Sequence, residues 1–405
     1  MKYYFKIILK FLSMFLFYIP SKILIKDCII LCSNNYENYN GNSRFLYEYL
    51  SKHSKYKVYW VTNNKKLINY LNNRELKYIT HKNIFGMLYV TLKSKVIINS
   101  GDSYFNILGL IDLNRTKKIS LLHGQGPKTD FHCSEPIIET PTGPVKTKNL
   151  IKRMHEFDLI NFPSEFTSQL NGRKLYNLPD NKIITFGYPK NDRLIEAFVR
   201  NKSLIKRENI NIILDNNIDN NAKIILYTPT WRPYKSSGFE LEHLSGFNAS
   251  DFSNYLKKNN IYLIFSSHPI MDNRVKFSDR VINLSNHETL VDINNLMLET
   301  DILINDYSTT SIDFCITSKA QVFCLPDHDK YTSYVKLPSD YLEKLPGNNV
   351  SSYNDLKSTI DNILNNYDEY IKKYTNEREE YLKNYYDCKN NDSCLMFNNL
   401  INNLD

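Results

Sequence analysis

The segment KKISLLHGQGPKTD (Lys117–Asp130) carries the first signature of an α/β fold. A short apolar run, of the kind that fills a buried parallel strand, stops at a polar turn that opens on His123. The same pattern returns in IYLIFSSHPIMD (Ile261–Asp272), where the turn carries His268. Open α/β sheets bind ligands at the carboxyl ends of their parallel strands. Two such ends, each bearing a histidine, predict an active site between two α/β domains.

Outward from these turns, strand-like and helix-like segments alternate. Strands are expected at Cys28–Leu31, Lys57–Thr62, Val96–Asn99, Ile119–Leu122 and Leu159–Phe162, with helices such as Ser43–Leu50 and Ile84–Leu92 between them. Such alternation implies βαβ units and a parallel sheet. The pattern pauses at ENINIILDNNIDNN (Glu208–Asn221), rich in turn formers, and resumes at Lys223–Tyr227, Tyr262–Ser266, Val281–Leu284, Ile302–Asn305 and Val322–Leu325. A chain of 405 residues exceeds what one core organises. The reading is an α/β architecture, two Rossmann-like domains whose parallel sheets face a central cleft. Residues 27–207 are expected to form the first domain, 222–375 the second and 376–405 a helical tail, with surface helices from Tyr353 onward able to pack across the junction.

The formal net charge of +8 favours anionic partners. Seven cysteines, without CxxC pairs, read as reduced thiols of a cytosolic protein rather than a disulfide or metal framework. The first 26 residues, MKYYFKIILKFLSMFLFYIPSKILIK, place Lys2, Lys6 and Lys10 on one helical face. Their apolar run, Phe11–Ile19, is shorter than the roughly 20 residues of a spanning helix. No small-residue cleavage site precedes Asp27. This segment is expected to lie in the interface of an anionic membrane, at its cytoplasmic face, with Lys22 and Lys26 also near the head groups. The plainer alternative is a first helix packed on the protein itself.

The second half carries the more specific chemistry. DILINDYSTTSIDF (Asp301–Phe314) reads as strand, polar turn and helix start, with Thr310 and Asp313 at capping-box spacing and Ser308 and Thr309 beside the free amides of the first turn. Such a helix start attracts a pyrophosphate, although an ordinary capped helix would look the same. In IILYTPTWRPY (Ile224–Tyr234), Thr228, Thr230 and Arg232 follow a strand, and Arg232 suits a bidentate grip on phosphate. In FGYPKNDRL (Phe186–Leu194), a Gly-Pro turn at Gly187 and Pro189 precedes Asp192, the expected N-cap of the next helix.

Taken in order, HGQGPK (His123–Lys128), PSEF (Pro163–Phe166), GYPKND (Gly187–Asp192), YTPTWR (Tyr227–Arg232), SHP (Ser267–Pro269) and NDYSTTSIDF (Asn305–Phe314), followed by Asp329 and Tyr331, resemble the CDP-glycerol glycerophosphotransferase family of teichoic-acid primases and polymerases. The resemblance implies a GT-B-like fold, with residues 27–207 the acceptor domain and 222–375 the CDP-donor domain, and a membrane-associated cytoplasmic enzyme that uses a CDP-activated polyol phosphate. It makes His123 the base, His268 an aid at the donor phosphates, and Ser308 and Thr309 the pyrophosphate turn. Gly124, Lys128, Pro189, Asp192, Thr228, Thr230, Arg232, Ser267, Asp306, Thr310 and Asp313 complete the expected substrate-binding set. The chain departs from the family's commoner HGTPLK, GYPRND and DYSS, having HGQGPK, Lys190 in place of Arg, and DYST.

The chemistry is coherent on its own terms, since phosphoryl transfer asks a protein mainly for alignment and charge stabilisation. His123 would take the acceptor hydroxyl's proton, the oxygen would attack the β-phosphorus, and His268, Arg232 and the Ser308–Thr310 helix start would stabilise departing CMP. Lys128 would neutralise an acceptor phosphate. The expected partners are a CDP-polyol donor, a polyol-phosphate or lipid-linked glycan acceptor and an anionic membrane surface, with no nucleic acid. No cofactor is required; Mg2+ suits such chemistry, but no acidic cluster of ligand spacing calls for it. A GT-B glycosyltransferase or nucleotide-sugar epimerase would share the fold. Nucleic-acid binding is opposed by dispersed lysines and the lack of an RRM, KH or zinc motif.

Overall fold

The computed structural model describes residues 23–33, 38–101, 116–126, 128, 130–131, 137–140, 143–200, 218–219, 221–232, 234, 238–266, 278–284, 291–386 and 392–404. Residues 1–22 of the basic N-terminal segment, most of the 208–221 junction, Ser267 and His268 lie outside the described residues.

The first sheet has seven parallel strands in the spatial order Ile183–Ile184, Leu159–Asn161, Lys117–Ser120, Ser94–Asn99, Cys28–Cys32, Lys57–Val61, Tyr78–Ile79. The second has six parallel strands in the order Val281–Asn283, Ile261–Phe265, Lys223–Tyr227, Ile302–Asn305, Ala320–Cys324, Asn348–Val350. The fold is thus the α/β, two-sheet architecture read from the sequence. Strands buried on both faces need apolar residues of both parities. In the second sheet Ile225, Tyr227, Leu263 and Phe265 serve one core while Ile224, Leu226, Ile264 and Leu303 serve the other.

The strand before His123 ends at Ser120, two residues earlier than expected, because Leu122 takes the left-handed conformation at φ 53° that no strand accommodates. The two halves of the chain are stitched together more than once. A short antiparallel ladder pairs Phe131 with Val335 and Asp130 with Lys336. The Thr375–Tyr385 helix packs on both the Glu165–Thr167 turn and the Thr310–Cys315 helix. The last helix, Ser393–Asn403, returns to the first sheet, where Cys394, Phe397 and Ile401 join the core with Leu46, Leu50 and Ile119. Among the described residues no helix is long and apolar enough to cross a membrane.

Candidate active site

The His123 turn is held from three sides. The Gly41–His53 helix starts beside the strand ends, where Ser43 Oγ meets Ser100 Oγ at 2.7 Å. Its Asn42 side chain donates to the carbonyls of Leu122 (2.8 Å) and Leu121 (3.4 Å). This fixes the strained Leu122 directly before His123, whose own residue is exposed. Strain of this kind persists only where the surroundings over-determine it. From a second side, buried Lys190 donates to the His123 carbonyl at 3.4 Å.

The third side is the other domain. A Cβ placed on Gly124 would stand 2.5 Å from Thr309 Oγ1, and one on Gly126 would stand 2.7 Å from Thr309 Cγ2. Only a backbone without side chains comes this close. The His123 turn at a strand end of the first sheet therefore lies directly against the Thr309 turn at a strand end of the second. Gly126, one of the departures from the family's commoner motif, is explained by this contact.

Lys190 also bonds Asp313 Oδ2 at 2.5 Å, both side chains being buried, and Asn191 Nδ2 donates to Asp313 Oδ1 at 2.7 Å. Asn294 donates in turn to Asn191 (2.8 Å), and Asp292 accepts the Gly41 amide at 2.7 Å. The capping box expected from Thr310 and Asp313 does not form. Thr309 is the N-cap, without a side-chain cap bond, because Asp313 is taken by the cation and amide that cross from the first domain. Ser308 instead folds back, its Oγ 2.9 Å from Thr310 Oγ1 and 3.3 Å from the Thr310 amide. Ser308, Thr309 and Thr310 remain partly exposed, and Thr309 is the one that meets the His123 turn.

Behind that turn stands a buried ionic cluster. Asp306 accepts from the Thr230 amide (2.9 Å), the Thr230 hydroxyl (2.6 Å), the Tyr307 amide (2.5 Å) and Arg232 Nη1 (2.7 Å). Arg232 forks onto Asp327 with bonds of 2.7 and 3.0 Å, and Tyr234 donates to the same carboxylate at 2.6 Å. Burial works against the charge on Arg232, but Asp306 and Asp327 hold it firmly ionised. Burial alone would raise Asp327, yet Arg232 and Tyr234 keep it below the usual carboxylate range. The stacked rings of Tyr307 and Tyr331, 3.9 Å apart, close the cluster against the guanidinium.

Arg232 is 1% exposed, so the bidentate grip on phosphate expected of it is corrected: its fork is spent on two carboxylates. Asp306, likewise buried, organises Thr230 and Arg232 rather than facing the cleft. Thr228 is buried at its strand end, its hydroxyl 3.3 Å from Asn305 Oδ1. The acid that completes the cluster is Asp327, not Asp329, which begins no such contact and lies exposed in the His328–Thr332 helix. Lys128 comes from the first domain to within 6.0 Å of the Tyr331 ring centre. Burial pushes its ammonium down to about 8, with Asp306 partly opposing the fall and Arg232 adding to it.

Two expected residues serve elsewhere. Pro189 is buried at the start of a short turn that presents Lys190 and Asn191 to Asp313. Asp192 is not the cap of its own helix, a place held by Asn191; it accepts the Ser393 (3.1 Å) and Cys394 (2.8 Å) amides at the start of the last helix. Sequence reasoning gave no role to Asn42, Asp327 or His328, whose Nδ1 lies 3.2 Å from the Tyr307 hydroxyl, nor to Asn191, although Asn191 stands within GYPKND. Asp327 carried a hint of its own, as a carboxylate in the turn after the apolar strand Ala320–Cys324. Among the described residues no group of three or more His, Cys, Asp or Glu is placed to hold a metal. The acids nearest the cleft, Asp306 and Asp327, already have their oxygens engaged by Arg232, Thr230 and Tyr234.

The family model described as CDP-Glycerol:Poly(glycerophosphate) glycerophosphotransferase matches residues 14–395. The teichoic acid glycerol-phosphate transferase of Staphylococcus aureus (strain NCTC 8325 / PS 47) is 26% identical over 375 residues, covering 89% of this chain and 90% of that protein. The teichoic acid glycerol-phosphate primase of Bacillus subtilis (strain 168) is 29% identical over 269 residues, 64% of this chain and 63% of its own length. In fold, a structure of the wall teichoic acid polymerase TagF soaked with CDPG aligns with a TM-score of 0.75 at 20% identity, over 98% of this chain and 97% of that one.

Proposed function

Because the chain belongs to the CDP-glycerol:poly(glycerophosphate) glycerophosphotransferase family, we propose that it moves a polyol phosphate, glycerol phosphate first, from a CDP-activated donor to a hydroxyl of a lipid-linked or polymer acceptor. The product is a teichoic-acid-like or capsular polymer, and CMP is released. Family membership sets aside the sugar-transfer and epimerase alternatives.

The observation that carries this reading is the contact of the His123 turn with Thr309 across the cleft. It supports a reaction in which an acceptor from one side meets a diphosphate held on the other. His123 takes the proton of the acceptor hydroxyl, whose oxygen forms the new bond to the β-phosphorus. The bond from that phosphorus to the bridging oxygen breaks, and the oxygen leaves on CMP. Partly exposed Ser308, Thr309 and Thr310, at the start of the Thr310–Cys315 helix, take the diphosphate charge. Lys128 adds a cation from the acceptor side, and His268 is assigned the donor phosphates. Arg232 acts at one remove by fixing Asp306 and, through it, Thr230. The enzyme works at the cytoplasmic face of an anionic membrane, held there by its basic N-terminal segment.

The test is CMP release by purified protein given CDP-glycerol or CDP-ribitol with candidate acceptors. His123→Ala should lower turnover at least about 100-fold while leaving the unfolding midpoint in place. Near-wild-type turnover in that variant would remove His123 from the chemical step.

A further inference from the structure

The turn that carries the proposed base reads His-Gly-Gln-Gly, so His123 is followed by two residues without side chains within three positions. Glycine's conformational freedom makes such a turn costly to order, and a base held in line for attack needs an anchor on each side of it. On one side Asn42 holds the carbonyls of Leu121 and Leu122. Beyond His123, Gly124 and Gly126 both face Thr309 of the second domain. The side chain between them, Gln125, reaches instead into the first domain, where its Oε1 accepts a hydrogen bond from Asn171 Nδ2. His123 is thus bracketed by Asn42 before it and Asn171 after it.

Asn171 belongs to Ser168–Leu175, SQLNGRKL, a π-helix wound more widely than an α-helix. The Tyr176 amide donates to the Asn171 carbonyl, five positions back, at 2.8 Å. Widened turns of this kind are rare and gather at functional sites. The buried residues of this helix are Ser168, Asn171 and Gly172, with no large apolar side chain among them. Gly172 lets it press on the first sheet, since a Cβ there would stand 3.0 Å from Phe162 Cζ. That close approach brings Asn171 to the His123 turn. The helix is itself fixed. Ser164, in the capping box at its start, donates to the Asn384 carbonyl at 2.7 Å. Arg173 ties its outside to Glu165 at 3.0 Å, Ser168 at 2.7 Å and Asp180 at 2.7 Å. Asn171 is 4% exposed, so losing Gln125 would leave a buried amide unsatisfied.

We infer that Gln125 and Asn171 are a positioning pair: from the rigid helix Ser168–Leu175 they hold the turn beyond His123 and so align the imidazole against the Thr309 turn. Both act through His123 rather than on substrate. The kinetic consequence rests on the role proposed for His123, whereas the ordering of the turn needs no substrate and is read separately.

The experiment measures CMP release from CDP-glycerol with a soluble acceptor, and amide hydrogen exchange across residues 119–126, in full-length wild type and variants. Asn171→Leu keeps the bulk and removes the bond. Its kcat should fall about 10- to 100-fold, its KM for CDP-glycerol should hold because the Ser308–Thr310 turn is untouched, and the amides of residues 123–126 should exchange faster. Gln125→Ala, at a partly exposed position, should behave alike and carries the test if Asn171→Leu does not fold. The double variant should be no worse than either single one, because residues that act through one bond are not additive. Asn171→Asp should keep most of the turnover, since its carboxyl accepts from Gln125 Nε2 once that amide turns over, or donates when protonated. In Gln125→Glu/Asn171→Asp the bond exists only while the two carboxyls share a proton, so turnover relative to wild type should fall as pH rises. Unfolding midpoints separate these effects from loss of the fold. Wild-type kcat and exchange in Asn171→Leu and Gln125→Ala overturn the proposal. So do losses that add in the double variant, an Asn171→Asp as slow as Asn171→Leu, or a raised KM at unchanged kcat. A wild type that releases no CMP counts against the proposed function, and hydrogen exchange then decides on the pair alone.

Discussion

At the scale of single residues, the site is governed by how little room its two turns leave. Thr309 sits so near the first-domain turn that Gly126→Ala would drive a methyl group to 2.7 Å from Thr309 Cγ2. Turnover should fall in that variant and recover in Gly126→Ala/Thr309→Ser, which removes the opposing methyl. If Gly126→Ala alone is fully active, the cleft is looser than this contact implies. Lys128 gives a second expectation. Its pKa is lowered to about 8, so its positive charge is lost as pH rises through that value, well before an exposed lysine would lose it. KM for an anionic substrate should therefore climb above pH about 8 in wild type. Lys128→Arg should keep KM flat, because a guanidinium stays charged. A wild-type KM that is level from pH 7 to 9 would leave Lys128 outside the binding site. The residue types in HGQGPK and DYST suggested phosphate chemistry, whereas the spending of Arg232 on Asp306 and Asp327 depends on residues more than seventy positions away.

At the scale of elements, strands and helices follow local pattern, and their ends follow tertiary contacts. The strands Lys223–Tyr227 and Ile302–Asn305 stand where apolar runs placed them. The Thr310–Cys315 helix begins without its expected cap because Asp313 is drawn to Lys190 and Asn191. The last helix is capped instead by a residue some two hundred positions earlier, Asp192. Burial pushes this carboxyl up to about 6, against the pull of the Cys394 and Ser393 amides. The folded protein thus binds more protons than the unfolded chain between pH about 4 and about 6, and Asp192's contribution to stability falls as pH rises through that window. Asp192→Asn keeps an oxygen for the amides and removes the titration. Its unfolding free energy should lose that decline between pH 4 and 6, measured by denaturant titration at several pH values. Asp192→Ala should cost about 1 kcal/mol through the lost cap. An identical pH profile in Asp192→Asn would mean that the carboxyl titrates normally.

At the scale of the whole molecule, two sheets become one enzyme through buried polar links. Lys190 reaches both the His123 carbonyl and Asp313, so it joins the His123 turn to the Thr310–Cys315 helix. Breaking one member of a buried pair strands the other charge, at a cost of about 3–5 kcal/mol. Lys190→Met should be destabilised on that scale and lose turnover, and Lys190→Met/Asp313→Asn should regain much of the stability. Equal stability of the single and double variants would show that the two groups are not coupled. The class of fold, the two parallel sheets and the placing of His123 and the DYST turn at strand ends were legible in the order of residues alone. Those features rest on hydrophobic periodicity and turn chemistry, which act within a few residues. Only the tertiary structure decided that Arg232 faces inward, that Asp192 caps the last helix and that Lys190, Asn191 and Asp313 clasp the domains. Burial makes an unpaired charge so costly that each ion takes whichever partner the fold brings near, and such partners lie too far along the chain for local pattern to name.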